Sequence, residues 1–179
     1  MTSKLKVNII SDSGDNAIMT SDGSGSLTLN NAALKMTPAF FAKLSGNQTI
    51  SNDTTTVMAF DTEVYDTDSA FDTSNYRFTV PSGNAGKYVF TATGGFSNAD
   101  QATAARYQLM FFKNGSLEDF MGDWAQAQNS SADPTNNFTT QISLTAGDYI
   151  DARIYHNGGA TETLQSAYAR FYGYRLIGA

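Results

Sequence analysis

Thr140-Gln-Ile-Ser-Leu-Thr-Ala-Gly-Asp-Tyr-Ile-Asp-Ala-Arg-Ile-Tyr-His156, then a Gly-rich turn, then Ala167-Tyr-Ala-Arg-Phe-Tyr-Gly-Tyr-Arg-Leu-Ile-Gly-Ala179. Apolar and polar residues take turns here at period two, the pattern of strands with one face in a core. The stretch reads as two alternating strands and a third that ends the chain. A closing strand this aromatic belongs deep in a sheet. On that strand Phe171, Gly173 and Arg175 share one face, and Tyr172, Tyr174 and Leu176 the other. Both faces therefore carry aromatic residues. That is expected where one face meets a sandwich core and the other a second copy of the chain. The chain reads as an all-β module that presents a surface rather than running a reaction.

Working upstream, Phe138–Leu144, Tyr107–Lys113, Gly86–Thr93 and Tyr76–Val80 are further strand candidates. Thr62–Tyr65, Val57–Phe60 and Pro38–Leu44 complete the set. Short strands with turn signals between them predict a sandwich or barrel, and the sequence contains no convincing long helix. Residues 1–35 form a separate zone of short strands at Lys6–Ile10, Ala17–Met19 and Ser26–Asn30, broken by Asp/Gly/Ser turns. Such strands cannot bury a core alone, so this zone is expected to intertwine with other copies or to dock on a larger assembly.

Leu144-Thr-Ala-Gly147-Asp148 followed by a strand and by Phe171-Tyr-Gly173-Tyr-Arg-Leu176-Ile177 resembles the end of the C1q/TNF-like jelly roll. Tyr76-Arg-Phe78-Thr-Val-Pro81 and Gly86-Lys-Tyr88-Val-Phe90 resemble that family's central strand–turn–strand, and Lys113-Asn114-Gly115 its next hairpin turn. The resemblance covers Thr37 to Ala179, and residues 36–179 are assigned to this head. It implies a ten-strand jelly roll, assembled as a compact homotrimer, that binds other molecules. Residues 1–35 resemble segments preceding such heads in bacteriophage tail and fibre proteins. The resemblance implies that Tyr88, Phe90, Phe111, Tyr149, Phe171, Tyr172, Gly173 and Tyr174 build the core and the trimer axis.

Composition narrows the function. Hydrophobic residues make up 41% and aromatics 12%, enough for a core, while charged residues are only 16%. Net charge is −6 and the eleven Lys and Arg are scattered singly, which argues against nucleic-acid binding. With no cysteine, stability outside a cell must come from packing and association. The N-terminal residues have no apolar run, so neither a secretory signal nor membrane insertion is expected. Synthesis in a host cytoplasm and exposure on a virion surface fit these features.

Three constellations carry candidate chemistry. Asp66, Asp68 and Asp72 could offer oxygen ligands to calcium, but the stretch lacks the Gly and final Glu of an EF-hand loop. The bland reading is a solvated turn. Leu117, Phe120, Met121 and Trp124, at i, i+3, i+4 and i+7, predict a short helical stripe inside a connection spanning Ser116–Asn137. It either packs on the barrel or a neighbouring protomer, or offers Phe120 and Trp124 to a glycan or receptor. His156, the single histidine, precedes a tight turn. No Gly-x-Ser-x-Gly elbow accompanies it, and one histidine makes no metal cluster. No catalytic or cofactor-binding residues are assigned.

The sequence thus predicts a non-enzymatic phage virion protein. Its trimeric head is expected to be anchored to other virion proteins through residues 1–35 and to contact a host-surface glycan or protein, as a tail fibre or tail-tip component does. Two alternatives stay open: a capsid or tail decoration (cement) protein without a dedicated receptor, and a secreted C1q/TNF-like recognition module.

Overall fold

A computed structural model describes residues 6–30, 36–96, 106–120 and 135–177. Among them every regular element is a strand. In chain order these are β1 (Ile9–Ser11), β2 (Ala17–Ser21), β3 (Leu27–Leu29), β4 (Ala39–Lys43), β5 (Gln48–Ile50), β6 (Thr56–Val57), β7 (Thr62–Asp66) and β8 (Phe71–Asp72). They continue as β9 (Arg77–Thr79), β10 (Gly86–Gly95), β11 (Tyr107–Lys113), β12 (Ser116–Phe120), β13 (Thr135–Leu144), β14 (Tyr149–His156), β15 (Glu162–Leu164) and β16 (Arg170–Arg175). No helix among the described residues is long and apolar enough to cross a membrane.

Two sheets pack face to face. One has the order β13-β10-β16-β4-β7 and the other β12-β11-β14-β9-β8, with β6 added on β14. The closing strand β16 lies in the middle of its sheet, between β10 and β4. That position explains why it is aromatic on both faces. The Leu144-to-Tyr149 turn carries the chain from one sheet to the other, since β13 pairs with β10 and β14 with β11 and β9. Asp148 closes this turn by accepting the Thr145 N–H at 2.8 Å.

Period-two alternation delivers the core from both sheets. Phe40, Phe78, Phe90, Phe111 and Phe171 are fully buried, with Tyr88, Tyr107, Ile150, Ala152 and Ile154. Phe40 stacks on Phe71 at 4.9 Å and on Phe78 at 5.0 Å, and meets Phe171 edge-on at 4.9 Å. Each buried ring contributes about 1.5–3 kcal/mol of transfer free energy, and each favourable pair roughly 0.5–1.5 kcal/mol more. With no cysteine in the chain, aromatic packing carries stability that disulfides supply in many small domains.

One sequence expectation fails. The stretch after Gly115 is no helical stripe inside a long connection: Ser116–Phe120 is β12, paired antiparallel with β11. Asn114 and Gly115 both have positive φ, 51° and 81°, as the two central residues of a hairpin turn whose twist matches its strands require. A two-residue turn sends the chain straight back along its partner, so local turn chemistry overrides a four-residue helical spacing. β13 likewise begins at Thr135, three residues before its expected start. Met121, Trp124 and Pro134 lie outside the described residues.

β1, β2 and β3 form their own antiparallel sheet. None of its residues is buried: Ile9, Ile10 and Leu27 are exposed, and β2 is half-buried throughout. This matches the expectation that these strands bury no core among themselves.

Candidate functional site

The outward face of the five-stranded sheet has no layer over it among the described residues. Register places Tyr65 of β7 beside Phe41 of β4, and Phe41 beside Tyr172 of β16. The row continues through Thr91 of β10 to Thr139 of β13. Phe41 meets Tyr65 edge-on at 6.2 Å and Tyr172 edge-on at 5.9 Å. The next row runs Ala39, Tyr174, Val89 and Gln141. Tyr65 and Tyr172 remain 48% and 37% exposed. This aromatic row, running from the edge strand β7 to the central β16, is an apolar surface in contact with water.

The face is divided. Over β7, β4 and β16 it is aromatic. Over β13, an edge strand, it presents Thr135, Asn137, Thr139, Gln141 and Ser143, all exposed. Between the halves, Thr91 and Thr139 share a 2.8 Å hydroxyl hydrogen bond. Opposite faces of β16 therefore serve different ends. Phe171, Gly173 and Arg175 are buried, and the Arg175 guanidinium donates to the Ala85 carbonyl at 2.7 Å. Tyr172 and Tyr174 look outward.

Of the residues singled out in the sequence, Tyr88, Phe90, Phe111 and Phe171 are core. Gly173 is buried beneath Phe90. Tyr172 and Tyr174 lie on the outward aromatic face. Tyr149 lies in neither place. It sits half-buried on the outward side of the other sheet, with the Arg77 guanidinium 4.3 Å from its ring centre. Phe120, on the edge strand β12, is 50% exposed.

The acidic stretch caps turns. Asp66 accepts the Phe71 N–H at 2.7 Å and the Asp68 N–H at 3.1 Å. Asp72 accepts the Asn75 side-chain amide at 2.5 Å and the Ser74 N–H at 2.8 Å, and these bonds hold its carboxyl below the usual range. Asp66, Asp68 and Asp72 do not converge as a ligand set, and no group of three acidic, His or Cys side chains suited to a metal forms among the described residues.

His156 is fully buried between Phe96 and Tyr107. Its Nδ1 accepts the Gly158 N–H at 3.4 Å and its Nε2 lies 3.0 Å from the Ile50 carbonyl. Together these place the ring proton on Nε2. Both nitrogens are thereby committed to the main chain, a structural rather than a catalytic arrangement. Tyr88 is similarly fixed. Its hydroxyl donates to the Asn84 carbonyl at 2.5 Å, and burial pushes its pKa up to about 12.

No family model matches the chain. An uncharacterized protein of Bacillus subtilis, YqcC, is 30% identical over 116 residues, which is 63% of this chain. The chain spans only 30% of that relative's length. Among solved structures, the globular domain of zebrafish complement 1qA superposes with a TM-score of 0.57 at 18% identity, covering 78% of this chain and 97% of that one. Murine APRIL gives 0.53 at 15% identity, covering 77% and 98%. The vertex protein P5 of PRD1 gives 0.57 at 16% identity, covering 79% and 99%. The fold is the C1q/TNF-like jelly roll.

Proposed function

We propose that this chain is a non-enzymatic structural protein of a virus particle whose jelly-roll head assembles as a homotrimer and contacts a host surface. The observation that carries this reading is the uncovered aromatic row Tyr65–Phe41–Tyr172, with Tyr174 in the row beside it. Burying such side chains is worth about 1.5–3 kcal/mol each, so the face favours association with another copy over exposure. A virion setting draws support from the shared fold of a phage vertex protein. Residues 1–35, whose described strands bury nothing of their own, are then the attachment segment. A solvent-facing head with its polar groups committed to turns and main chain has the character of a binding module.

Light scattering on the full-length protein tests the assembly. A mass three times the 19.3 kDa chain is expected. Tyr172→Glu, which sets a carboxylate at the centre of the row, should reduce it to the monomer mass. A monomeric native chain at micromolar concentration refutes the trimer. Gold-labelled antibody on purified particles tests the setting. Label at tail tips supports host contact, label spread over the capsid makes the protein a decoration component, and label on no particle overturns the virion reading.

A further inference from the structure

We propose that the cleft lined by Thr93, Thr135, Asn136, Asn137 and Tyr168, of about 270 Å³, binds a neutral saccharide. The proposal rests on reading the head as a surface-recognition module, and gives that module a site and a ligand class.

Position is the first argument. The chain enters the sandwich at Ala39, whose neighbours across the sheet are Tyr174 and then Val89. β10 runs on from Val89 to Gly95, which lies opposite Thr135. Six residues at about 3.3 Å each put the cleft roughly 20 Å from the entry point. A head carried by the residues before β4 therefore points this end of the sheet away from its carrier. A ligand on another cell would be met there.

Chemistry is the second argument. Thr93 Oγ1 donates to the Tyr168 carbonyl at 2.5 Å. This pins the Tyr168 turn to the sheet and leaves the Thr93 lone pairs free to accept. Asn136 Oδ1 accepts the Asn137 N–H at 2.8 Å, so its NH2 group remains a donor. The Asn137 amide and the Thr135 hydroxyl make no hydrogen bond among the described residues. Beside these groups lies Tyr168, 38% exposed, an aromatic body with a polar tip. Interleaved amide and hydroxyl groups next to a flat ring match the two surfaces of a sugar: vicinal hydroxyls on the edge and C–H groups on the face.

The described lining is uncharged. Among the described residues, no ionised side chain lines the cleft. The nearby Arg170 is not in the lining, and its Nη1 donates to the Ser166 and Ala169 carbonyls at 2.8 and 2.7 Å. By contrast, the other cleft of about 270 Å³ is bordered by Asp68 and Asp72, and its ring, Phe71, is buried. Of these two clefts, the Tyr168 one combines an exposed ring with uncharged polar groups. Its size, a little below roughly 300 Å³, suits one or two sugar rings rather than a drug-sized ligand. A single cleft would bind on the order of millimolar, and three carried on one trimer would gain a factor of about 10²–10⁴ on a repeating surface glycan.

The full-length protein should be applied to immobilised neutral oligosaccharides of glucose, galactose, mannose and N-acetylglucosamine, with sialylated and phosphorylated glycans alongside. Binding to at least one neutral chain is expected. Tyr168→Ala and Asn137→Ala should each weaken it at least tenfold with the thermal melt preserved, while Tyr168→Phe, which keeps the ring, should stay within about threefold. No binding to any neutral chain, binding to anionic glycans only, or variants that bind like the native protein would each overturn the site. Mass measured in parallel separates the two proposals. A trimer that binds no neutral saccharide overturns the cleft alone. A monomer whose saccharide binding depends on Tyr168 supports the cleft and overturns the trimer.

Discussion

Adding one methyl group at Gly173 should damage this fold more than the same change at Gly94, Gly14 or Gly46. Gly173 lies in the middle of β16, opposite Phe90 of β10 and Phe40 of β4. A Cβ there would stand 2.6 Å from Phe90 Cδ1, 2.8 Å from the Val89 carbonyl oxygen and 3.0 Å from Phe90 Cε1. Carbon atoms rest at about 3.5–4.0 Å, so the overlap approaches 1 Å. Neither neighbour can retreat. The Val89 oxygen belongs to the sheet backbone. The Phe90 ring is fully buried, with Tyr88 at 5.9 Å, Phe78 at 5.6 Å and Phe171 at 6.1 Å. Overpacking typically costs about 1–3 kcal/mol, and a clash with backbone belongs at the upper end. A cost of about 3 kcal/mol lowers Tm by roughly 6–12 °C for a chain of this size. Calorimetry at one fixed protein concentration reads this, because association makes Tm concentration-dependent. Gly94→Ala is the control: its nearest neighbour is the flexible Met58 Cε at 3.2 Å, and a loss below about 1 kcal/mol is expected. Phe90→Leu should recover part of the loss in the Gly173→Ala background. A Gly173→Ala protein melting within about 2 °C of native would refute the argument.

Asp148 predicts a pH effect. The Thr145 N–H and then the Asn114 amide, both at 2.8 Å, with Lys113 at 3.2 Å, hold its carboxyl well below the ordinary 3.8. A depressed folded value means this stabilisation is complete above the unfolded value and is lost as pH falls below it. Urea unfolding of Asp148→Asn should therefore show a loss of about 1.5–3 kcal/mol at pH 7 and a shallower decline than the native protein below pH 4. Equal slopes for the two proteins would count against the turn's role. Millimolar calcium should leave the melting curve unchanged, because Asp66 and Asp72 already serve amide donors; a rise in Tm abolished by chelator would reverse that conclusion.

Much of the fold is written in local pattern. The alternation through β13, β14 and β16 gives each strand's buried face, and Asn114-Gly115 gives a hairpin. The failure at Leu117–Phe120 came from weighing a helical spacing of four residues above the turn just before it. β15 went unseen because three residues carry too little periodicity to stand out. The site was legible only in half. Tyr172 and Tyr174 announce an outward aromatic face through period two alone. Their neighbours Phe41 and Tyr65 join them only through sheet register, which no single stretch of sequence contains. The saccharide cleft draws on β10, β13 and the turn before β16, segments more than thirty residues apart, so no motif marks it.

β4 receives the chain from the N-terminal segment and lies between β16 and β7. If the head is held at its far end while a load pulls on that segment, tension runs along the axis of β4. The two flanking ladders then resist together by shear, instead of opening one hydrogen bond at a time as an edge strand would when peeled. A fold chosen for packing thus doubles as a grip, with the strand that bears the load lying inside a sheet.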